Sequence, residues 1–371
     1  MAKKKIIGLF PELLGIGGVQ EAGRLTAAAL DEIARSRGWT TEFVALNDPF
    51  GPHSLGVAGR AISFRGFGRM KVRFTLSGIN RAFGLPGGVV LAGHPNLAPP
   101  ASWMRRTNSG LKTIVMSHGI DVWQPLPGGR RRALAGADLV LGPSNDTTRK
   151  LVDVQHVAQE KVRKLAWPLN PAFLRMAEAP ERLPLPAGFP QGRVILTVGR
   201  WAAAERYKGA DELIRAMSQL RAEAPGVHLV AVGGGDDLPR LRKLVTDLGM
   251  TESIHFFENL QREEIGACYS RAEIFALPST GEGFGLVFLE AMAFSKPVLG
   301  VCCGGATDVI EDDVNGLMTA PGNSEELAQG LRRLLSDVPL RERLGQRGAQ
   351  IVRQKYAFDV FRGELESVLG D

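Results

Sequence analysis

Short apolar segments alternate with amphipathic segments along most of the chain, and this alternation restricts the fold more than any other feature. In the first half the apolar segments lie at 3–10, 41–46, 88–92, 112–117 and 138–142. In the second half they lie at 193–198, 227–232, 253–257 and 273–277, with helical patterns at 211–221, 238–248 and 262–270. Strands that alternate with helices of this length favour parallel sheets covered by helices on both faces. The sequence therefore predicts an α/β fold.

The chain also divides by composition. Its 371 residues are enough for two domains of ordinary size. Proline-containing segments at 166–171 and 181–192 interrupt the alternation, which predicts a linker between two lobes. After the linker the alternation resumes, and the chain ends in helical patterns at 324–336, 340–354 and 358–369. We therefore expect a first lobe at 1–170 and a second lobe that begins at 171.

Composition and the N-terminal sequence limit the class of protein. The chain is 44% hydrophobic, which supports globular cores rather than disorder. It has three cysteines and no signal-peptide apolar segment after its basic start, which predicts a reducing compartment and no disulfides. No apolar run is long enough to cross a bilayer. We therefore expect a cytoplasmic protein that is soluble or peripheral at the inner face of the membrane.

Charge is distributed unevenly between the two halves. Residues 1–170 contain 23 Lys and Arg against 11 Asp and Glu, whereas the rest of the chain contains 22 against 28. A basic first half predicts an anionic partner, such as a membrane surface, a lipid-linked phosphate or a nucleic acid, or else only a solvated basic surface. Segment 65–83 interleaves cations with apolar side chains, and 129–132 adds three arginines. We interpret 65–83 as a core-facing helix with a solvated basic edge, the alternative being an amphipathic segment on anionic lipid.

Two features of the first half are candidates for ligand contact. Gly17 and Gly18 follow the first predicted strand and precede a helical pattern at 21–37. This arrangement can bind phosphate at a helix N-terminus, or it can serve packing alone. His118 follows a predicted strand, at the end where open α/β sheets bind ligands, and a structural histidine is the alternative. Asp121 could fix the tautomer of His118 or contact a substrate.

The segment 277–308 carries two carboxylates in a glycine-rich setting. Glu282 lies in a turn whose glycines allow close approach of the backbone to a ligand. Glu290 lies about two turns into a helix predicted at 284–294, and a glycine pair follows the next strand. These two glutamates are therefore candidates for ligand binding or for acid–base chemistry.

Arg200 and Lys208 flank a loop at the end of the predicted strand 193–198. Two cations at the ligand-binding edge of a sheet suit a diphosphate, since arginine can fork onto two oxygens while lysine acts as a point charge. The alternative is a pair of exposed loop cations. The sequence therefore predicts an anion site at this loop without identifying the anion.

Taken together, the glycine pair at 17–18, His118, Arg200, Lys208 and the Glu282-to-Glu290 spacing resemble the retaining GT-B glycosyltransferases of family 4, also called glycosyltransferase group 1. The resemblance implies two Rossmann-like lobes of parallel sheet that face a central cleft. It implies that the first lobe binds the acceptor, that 171–357 bind a nucleotide-sugar, and that the last helix, 358–371, crosses back onto the first lobe. The loop between Arg200 and Lys208 is longer than in compact members, which leaves the partners of Glu205 and Arg206 open.

The resemblance also implies roles for particular residues. Arg200 and Lys208 would hold the donor diphosphate, Glu290 the ribose hydroxyls and Glu282 the hydroxyls of the donor sugar. His118 would lie beside the sugar ring. The implied catalytic residues are His118, Arg200, Lys208 and Glu282. The implied donor-binding residues are Gly17, Gly18, Arg200, Lys208, Asn259, Leu260, Glu282, Gly283, Phe284, Gly285, Leu286 and Glu290, of which Asn259 and Leu260 would border the base.

The implied reaction moves a hexose, with retention, from a nucleoside diphosphate sugar to a glycan or lipid-linked acceptor in polysaccharide biosynthesis. Negative charge develops on the leaving phosphate in such a reaction, so cations and amide donors belong around it. Because Arg200 and Lys208 can supply this charge, we expect no metal ion, no cofactor and no nucleic acid partner. The alternatives are a nucleotide-sugar epimerase of the same fold and a nucleotide-sugar-binding protein without turnover. Sugar, base, acceptor and oligomeric state remain open.

Overall fold

The computed structural model describes residues 4–370. The chain divides into two compact units, the first comprising Met1–Asn170 and Tyr356–Asp371 and the second comprising Pro171–Lys355. Each unit is built around its own sheet of mainly or wholly parallel strands. The predicted α/β class is thereby confirmed.

The first unit contains eight strands and seven helices within its described residues. In chain order they are β1 (Lys5–Phe10), α1 (Gly18–Ser36), β2 (Thr40–Ala45), β3 (Gly51–Val57), β4 (Arg60–Gly66), α2 (Lys71–Ala82), β5 (Gly88–Ala92), α3 (Ala98–Thr107), β6 (Leu111–Met116), α4 (Ile120–Trp123), α5 (Gly128–Ala135), β7 (Leu139–Gly142), α6 (Asn145–Asp153), β8 (Val162–Lys164) and, near the C-terminus, the helix Phe358–Leu369.

The sheet of the first unit has the strand order β3-β4-β2-β1-β5-β6-β7-β8. All neighbours are parallel except β3 and β4, which form an antiparallel hairpin at one edge. The central strands are near-continuous apolar runs because helices cover both faces, which is why the sequence predicted them. The hairpin was missed, because β3 alternates between exposed and half-buried positions and resembles a loop in sequence.

Segment 65–83, predicted as one helix, is divided between the end of β4 and the helix α2. The helix α2 packs inward through Phe74, Gly78 and Ala82, which confirms that it faces the core. Its inward side joins a core cluster that also includes Met104 of α3 and Leu134 of α5. A β-carbon placed at Gly78 would lie 3.1 Å from the sulfur of Met104, so the small residue sets the close spacing of α2 and α3.

The second unit contains six strands and eight helices, and the last helix of the described chain follows it. In chain order they are α7 (Pro171–Glu178), β9 (Arg193–Val198), α8 (Ala210–Leu220), β10 (Val227–Val232), α9 (Leu238–Asp247), β11 (Ile254–Phe257), α10 (Arg262–Arg271), β12 (Ile274–Ala276), α11 (Leu286–Ala293), β13 (Val298–Val301), α12 (Ala306–Val309), β14 (Gly316–Thr319), α13 (Ser324–Ser336), α14 (Val338–Lys355) and α15 (Phe358–Leu369).

All six strands of the second sheet are parallel, in the order β11-β10-β9-β12-β13-β14. The chain therefore proceeds from β9 toward one edge and then returns to β12 to build the other side. Loops that leave β9 and β12 in opposite directions open a crevice at their carboxyl ends, which is where doubly wound sheets bind ligands. The sequence missed β14 and the helix α7, which begins within the segment interpreted as a linker.

The last helix, α15, packs against α1 of the first unit. Arg37, directly after α1, lies 3.4 Å from Glu366, and Arg362 lies 3.3 Å from Glu32. The ammonium of Lys112 donates to two carbonyl oxygens in the last turn of α15, each at 3.0 Å, where a cation is favoured by the helix dipole. Within residues 4–370, no helix combines the length and the apolar character that a membrane span requires.

Candidate functional site

Lys208 and Glu282 are brought together at the carboxyl ends of β9 and β12. The ammonium of Lys208 donates to Oε1 of Glu282 at 2.9 Å, although the two residues are 74 positions apart in the chain. Both side chains are only 15% and 13% exposed, respectively. A cation and a carboxylate held in contact beside a topological switch point provide charge and hydrogen-bonding oxygens for a polar ligand.

The loop that carries Arg200 and Lys208 lies against the glycine segment that follows β10. The amide of Trp201 donates to the carbonyl of Gly234, and the amide of Asp237 donates back to the carbonyl of Trp201, both at 2.9 Å. A β-carbon at Gly235 would lie 2.0 Å from the Trp201 carbonyl oxygen, so only glycine permits this contact. A β-carbon at Gly233 would likewise lie 1.9 Å from the carbonyl oxygen of Gly199, so the packing of the two loops explains the glycines at 233 and 235.

Asp237 is the central carboxylate of an ion-pair network that contacts the loop between Arg200 and Lys208. It is buried, and its carboxylate accepts from Arg206 at 2.9 Å and from Arg240 at 2.6 Å. Arg240 also donates to Asp211 at 2.7 Å. Hydrogen bonds from Arg240 and then from Arg206 lower the pKa of Asp237 to about 2, in spite of its burial. The network fixes α8, α9 and the loop relative to one another.

The partners that the sequence left open are therefore identified. Arg206 pairs with Asp237, and Glu205 pairs with Arg200, whose side chain is 72% exposed. Tyr207, which sequence reasoning missed, precedes Lys208, whose ammonium lies 5.8 Å from the centroid of the tyrosine ring. Burial, and then the nearby carboxylate of Glu282, raises the pKa of Tyr207 to about 12, so its hydroxyl stays protonated. A tyrosine next to a predicted anion-binding lysine was a signal that could have identified it.

The turn that contains Glu282 packs against the glycine pair that follows β13, Gly304 and Gly305. The amide of Gly305 donates to the carbonyl of Glu282 at 2.7 Å. A β-carbon at Gly304 would lie 2.7 Å from that carbonyl oxygen, and one at Gly305 would lie 2.3 Å from the carbonyl oxygen of Gly283. The absence of side chains at Gly304 and Gly305 therefore allows this segment to contact the backbone of the Glu282 turn.

Glu290 lies on α11 and has a partner that the sequence did not predict. The helix begins at Leu286 and not at 284, so Glu290 lies about one turn into it and the prediction of two turns was wrong. The hydroxyl of Tyr269, on α10, donates to Oε2 of Glu290 at 2.7 Å. Tyr269 is fully buried, and burial raises its pKa well above the usual value. A buried tyrosine hydroxyl needs a hydrogen-bond partner, and here that partner orients the carboxylate.

The remaining predicted donor-binding residues of the second unit lie on loops at strand or helix ends. Gly283, Phe284, Gly285 and Leu286 lead into α11, with Gly285 at a φ of 98°. Asn259 and Leu260 follow β11, and Asn259 has a φ of 56°. Asparagine is among the few residues other than glycine that adopt this left-handed conformation readily.

In the first unit, Gly17 and Gly18 lie at the start of α1. Gly17 precedes the helix, with a φ of 144°, and Gly18 is its first residue. The preceding turn is fixed by Asp48, whose carboxylate accepts from the amides of Leu13 and Leu14 at 2.8 and 3.2 Å. After this turn, Gly17 and Gly18 are both exposed at the start of α1.

His118 follows β6 and lies among aromatic neighbours. Its Nε2 lies 2.7 Å from the carbonyl oxygen of Gly93, which can only accept, so Nε2 carries the proton. Its Nδ1 is then an acceptor, buried without a hydrogen-bond partner among the described residues. Trp167 packs against the ring with centroids 4.5 Å apart. The idea that Asp121 fixes the tautomer was wrong, because its carboxylate accepts from the His118 amide, at 2.9 Å, rather than from the ring.

His94 is a second histidine of this cluster that sequence reasoning missed. It stacks on His118 with ring centroids 5.5 Å apart, and its Nε2 lies 3.7 Å from Asp121. Burial lowers the pKa of both His94 and His118 to about 4, so both rings are neutral near pH 7. The signal was present, since His94 comes just after the strand that neighbours β6 in the sheet.

These two histidines predict an acid-sensitive fold. Their pKa values are about 4 in the folded chain and about 6.5 when unfolded, so between these pH values the unfolded chain binds more protons. The free energy of unfolding should therefore fall as pH drops from 6.5 to 4, by up to about 1.4 kcal/mol per pH unit for each histidine. Urea unfolding at a series of pH values should show a weaker dependence for His118→Asn. An equal slope in both proteins would contradict this prediction.

Comparison with known proteins finds relatives among glycosyltransferases. The D-inositol 3-phosphate glycosyltransferase of Stackebrandtia nassauensis is 28% identical over 307 residues, covering 76% of this chain and 68% of that protein. An uncharacterized glycosyltransferase of Methanocaldococcus jannaschii is 34% identical over 176 residues, covering 47% of this chain and 44% of that protein. The chain thus spans less than half the length of one relative and about two thirds of the other.

The solved structure of Anabaena HepE in complex with UDP-glucose superposes with a TM-score of 0.75 at 19% identity, covering 98% of this chain and 99% of that one. At this identity the likeness establishes the GT-B fold. Residues 187–351, which contain Arg200, Lys208, Glu282 and Glu290, match the family described as Glycosyl transferases group 1. Residues 187–351 are therefore similar in sequence to the group 1 glycosyltransferases, and the chain has the GT-B fold.

Proposed function

We propose that the protein transfers a hexose from a nucleoside diphosphate sugar to a glycan or lipid-linked acceptor, with retention of configuration and without a metal ion. The observation that carries the proposal is the contact between Lys208 and Glu282 at the switch point of the second sheet, within the segment that matches the family. Anabaena HepE, which shares the fold, binds UDP-glucose in its solved structure. The donor accordingly belongs to the second unit and the acceptor to the first.

The proposed chemistry centres on the leaving phosphate. As the bond between the anomeric carbon and the β-phosphate oxygen breaks, its electron pair stays on the phosphate. Lys208, already held at this edge, stabilises that charge together with Arg200 and the amides before α11. The acceptor oxygen bonds to the anomeric carbon on the same face, and its proton passes to the leaving phosphate. Glu282 binds the hydroxyls of the donor sugar, so it is a recognition residue rather than a nucleophile.

The remaining predicted site residues have binding roles in this proposal. Glu290, oriented by Tyr269, binds the ribose hydroxyls, and Asn259 with Leu260 borders the base. His118 lies beside the sugar ring, and because its imidazole is neutral near pH 7 it adds no charge there. In the first unit, Leu14 and Ile16 are 43% and 100% exposed in the turn after β1, which favours an acceptor with an apolar portion, such as a lipid-linked glycan.

A donor screen without added metal tests the proposal. We expect one of the UDP-, GDP- or ADP-hexoses to release its nucleoside diphosphate in the presence of acceptor and of excess EDTA, since the side-chain cations supply the charge. A rate that falls to background in EDTA and returns with a divalent cation would contradict metal independence. Isomerised sugar from donor alone would favour an epimerase. Calorimetric binding without release of nucleotide under any condition would favour a binding protein.

A further inference from the structure

Three neighbouring helices of the first unit carry only positive charge. Helices α2, α3 and α5 contain eight Lys and Arg residues and no Asp or Glu. The helix α3 contacts both α2 and α5, so the three form one layer. The sequence between Asp48 and Asp121 contains no acidic residue at all. Helices α2 and α3 therefore lie in a continuous acid-free stretch of chain, and α5, which follows Asp121, adds three arginines to the layer.

Most of these cations are not neutralised by a carboxylate. Arg81 pairs with Glu42, and Arg105 pairs with Asp138 at 2.6 Å. For the other six, the ion pairs among residues 4–370 include no carboxylate partner. The six are Lys71, Arg73, Arg106, Arg130, Arg131 and Arg132. The layer can therefore attract a polyanion without first breaking ion pairs of its own.

The outer side of the same layer is also apolar. Val72 and Leu76, one helical turn apart on α2, are 74% and 60% exposed, and Phe83 just beyond the helix is 75% exposed. Trp103 of α3 is half exposed. Packing of α2 onto the core accounts for Phe74 and its neighbours but not for these residues, which face solvent. Eight of the ten large apolar side chains that are exposed within residues 4–370 lie in this unit.

We propose that α2, α3 and α5 form a docking surface for an anionic lipid bilayer. In this arrangement Val72, Leu76, Phe83 and Trp103 enter the boundary between headgroups and acyl chains, while the six cations contact lipid phosphates. A nucleic acid fits less well, since exposed Val and Leu offer it neither charge nor a stacking platform. A protein partner fits less well than an anionic bilayer, since protein surfaces usually carry both charges and binding one does not require helices without Asp and Glu. The biological role of this surface rests on the proposed function. Membrane docking would bring the enzyme to a lipid-linked acceptor.

Vesicle co-sedimentation of the full chain tests the proposal. We expect binding to vesicles of equal parts phosphatidylglycerol and phosphatidylcholine, loss of most binding at high salt, and little binding to phosphatidylcholine alone. The double variant Val72→Ser, Leu76→Ser and the triple variant Arg130→Gln, Arg131→Gln, Arg132→Gln should each bind about tenfold more weakly. The exposed positions should leave far-UV circular dichroism and Tm unchanged.

Matched controls come from the second unit, where Val338→Ser removes an exposed apolar residue and Arg242→Gln with Lys243→Gln removes exposed cations. These variants should bind like wild type. Equal binding of all variants, or equal binding to neutral vesicles, would overturn the proposal, as would tighter binding to a single-stranded oligonucleotide than to the anionic vesicles. Vesicle binding requires neither donor nor turnover, so absence of transfer would refute the proposed function while leaving this surface to be judged separately.

Discussion

Replacing Lys208 with alanine should lower kcat for sugar transfer by about 10²–10³-fold, because it removes a preorganised cation from the site where negative charge develops. It also leaves Glu282, a largely buried carboxylate, without the ammonium that lies 2.9 Å away. Initial rates of nucleotide release over a range of donor concentrations would separate the effect on kcat from that on KM. Lys208→Arg should recover part of the rate, since it retains the charge.

The control for this experiment is Lys243→Ala. Lys243 lies on α9 of the same unit, is 71% exposed and pairs with Asp247 at 2.7 Å, so its loss should leave the rate unchanged. Glu290→Ala provides a contrast, because a residue that binds the ribose should raise donor KM more than it lowers kcat. If Lys208→Ala and Glu290→Ala both retained wild-type kinetics, the proposed donor site would be wrong.

Replacing Asp237 with asparagine should lower the free energy of unfolding by about 2 kcal/mol, since it weakens charge-assisted hydrogen bonds from two partly exposed guanidinium groups. Arg240 keeps Asp211, whereas Arg206 loses its carboxylate partner. Because Arg206 lies in the loop between Arg200 and Lys208, donor KM should rise as well. Urea unfolding and donor titration of the same variant would measure both effects.

Asp247→Asn is the matched control for this second prediction. It makes the same chemical change at an exposed ion pair on the neighbouring helix surface, where the expected loss is below about 1 kcal/mol. In the wild type, the pKa of Asp237 near 2 means that its contribution is present above the unfolded value and is lost as pH falls through 2. Equal stability of the two asparagine variants would show that the network does not anchor the loop.

The sequence predicted most of the strands because they are buried on both faces. Strands such as β1, β5, β9 and β10 are continuous apolar runs between glycine-containing turns, and their boundaries were predicted to within two residues. The hairpin of β3 and β4 was missed because half of each strand faces solvent. The four-residue strand β14 was missed because GLMT has neither length nor alternation.

In the candidate site, the sequence predicted the charged residues but not their partners. Arg200, Lys208, Glu282 and Glu290 could be selected by their residue types at strand and helix ends. Their partners could not, since the contact of Glu290 with Tyr269 depends on the packing of α10 against α11, which no local pattern encodes. The Asp237 network joins charges from one loop and two helices, each of which resembles an ordinary solvated residue in sequence.

The position of α15 has a consequence for how the protein is synthesised. Phe361, Leu365 and Leu369 are buried in the first unit, whose strands precede the second unit in the chain, yet these three residues are made only after the second unit. The continuous segment Pro171–Lys355 is complete as soon as it leaves the ribosome. The first unit is incomplete until α15 is made, and until then one face of α1 is exposed. The folding order should therefore be the reverse of the translation order, and a chain stopped before Tyr356 would carry a finished second unit beside an unfinished first one.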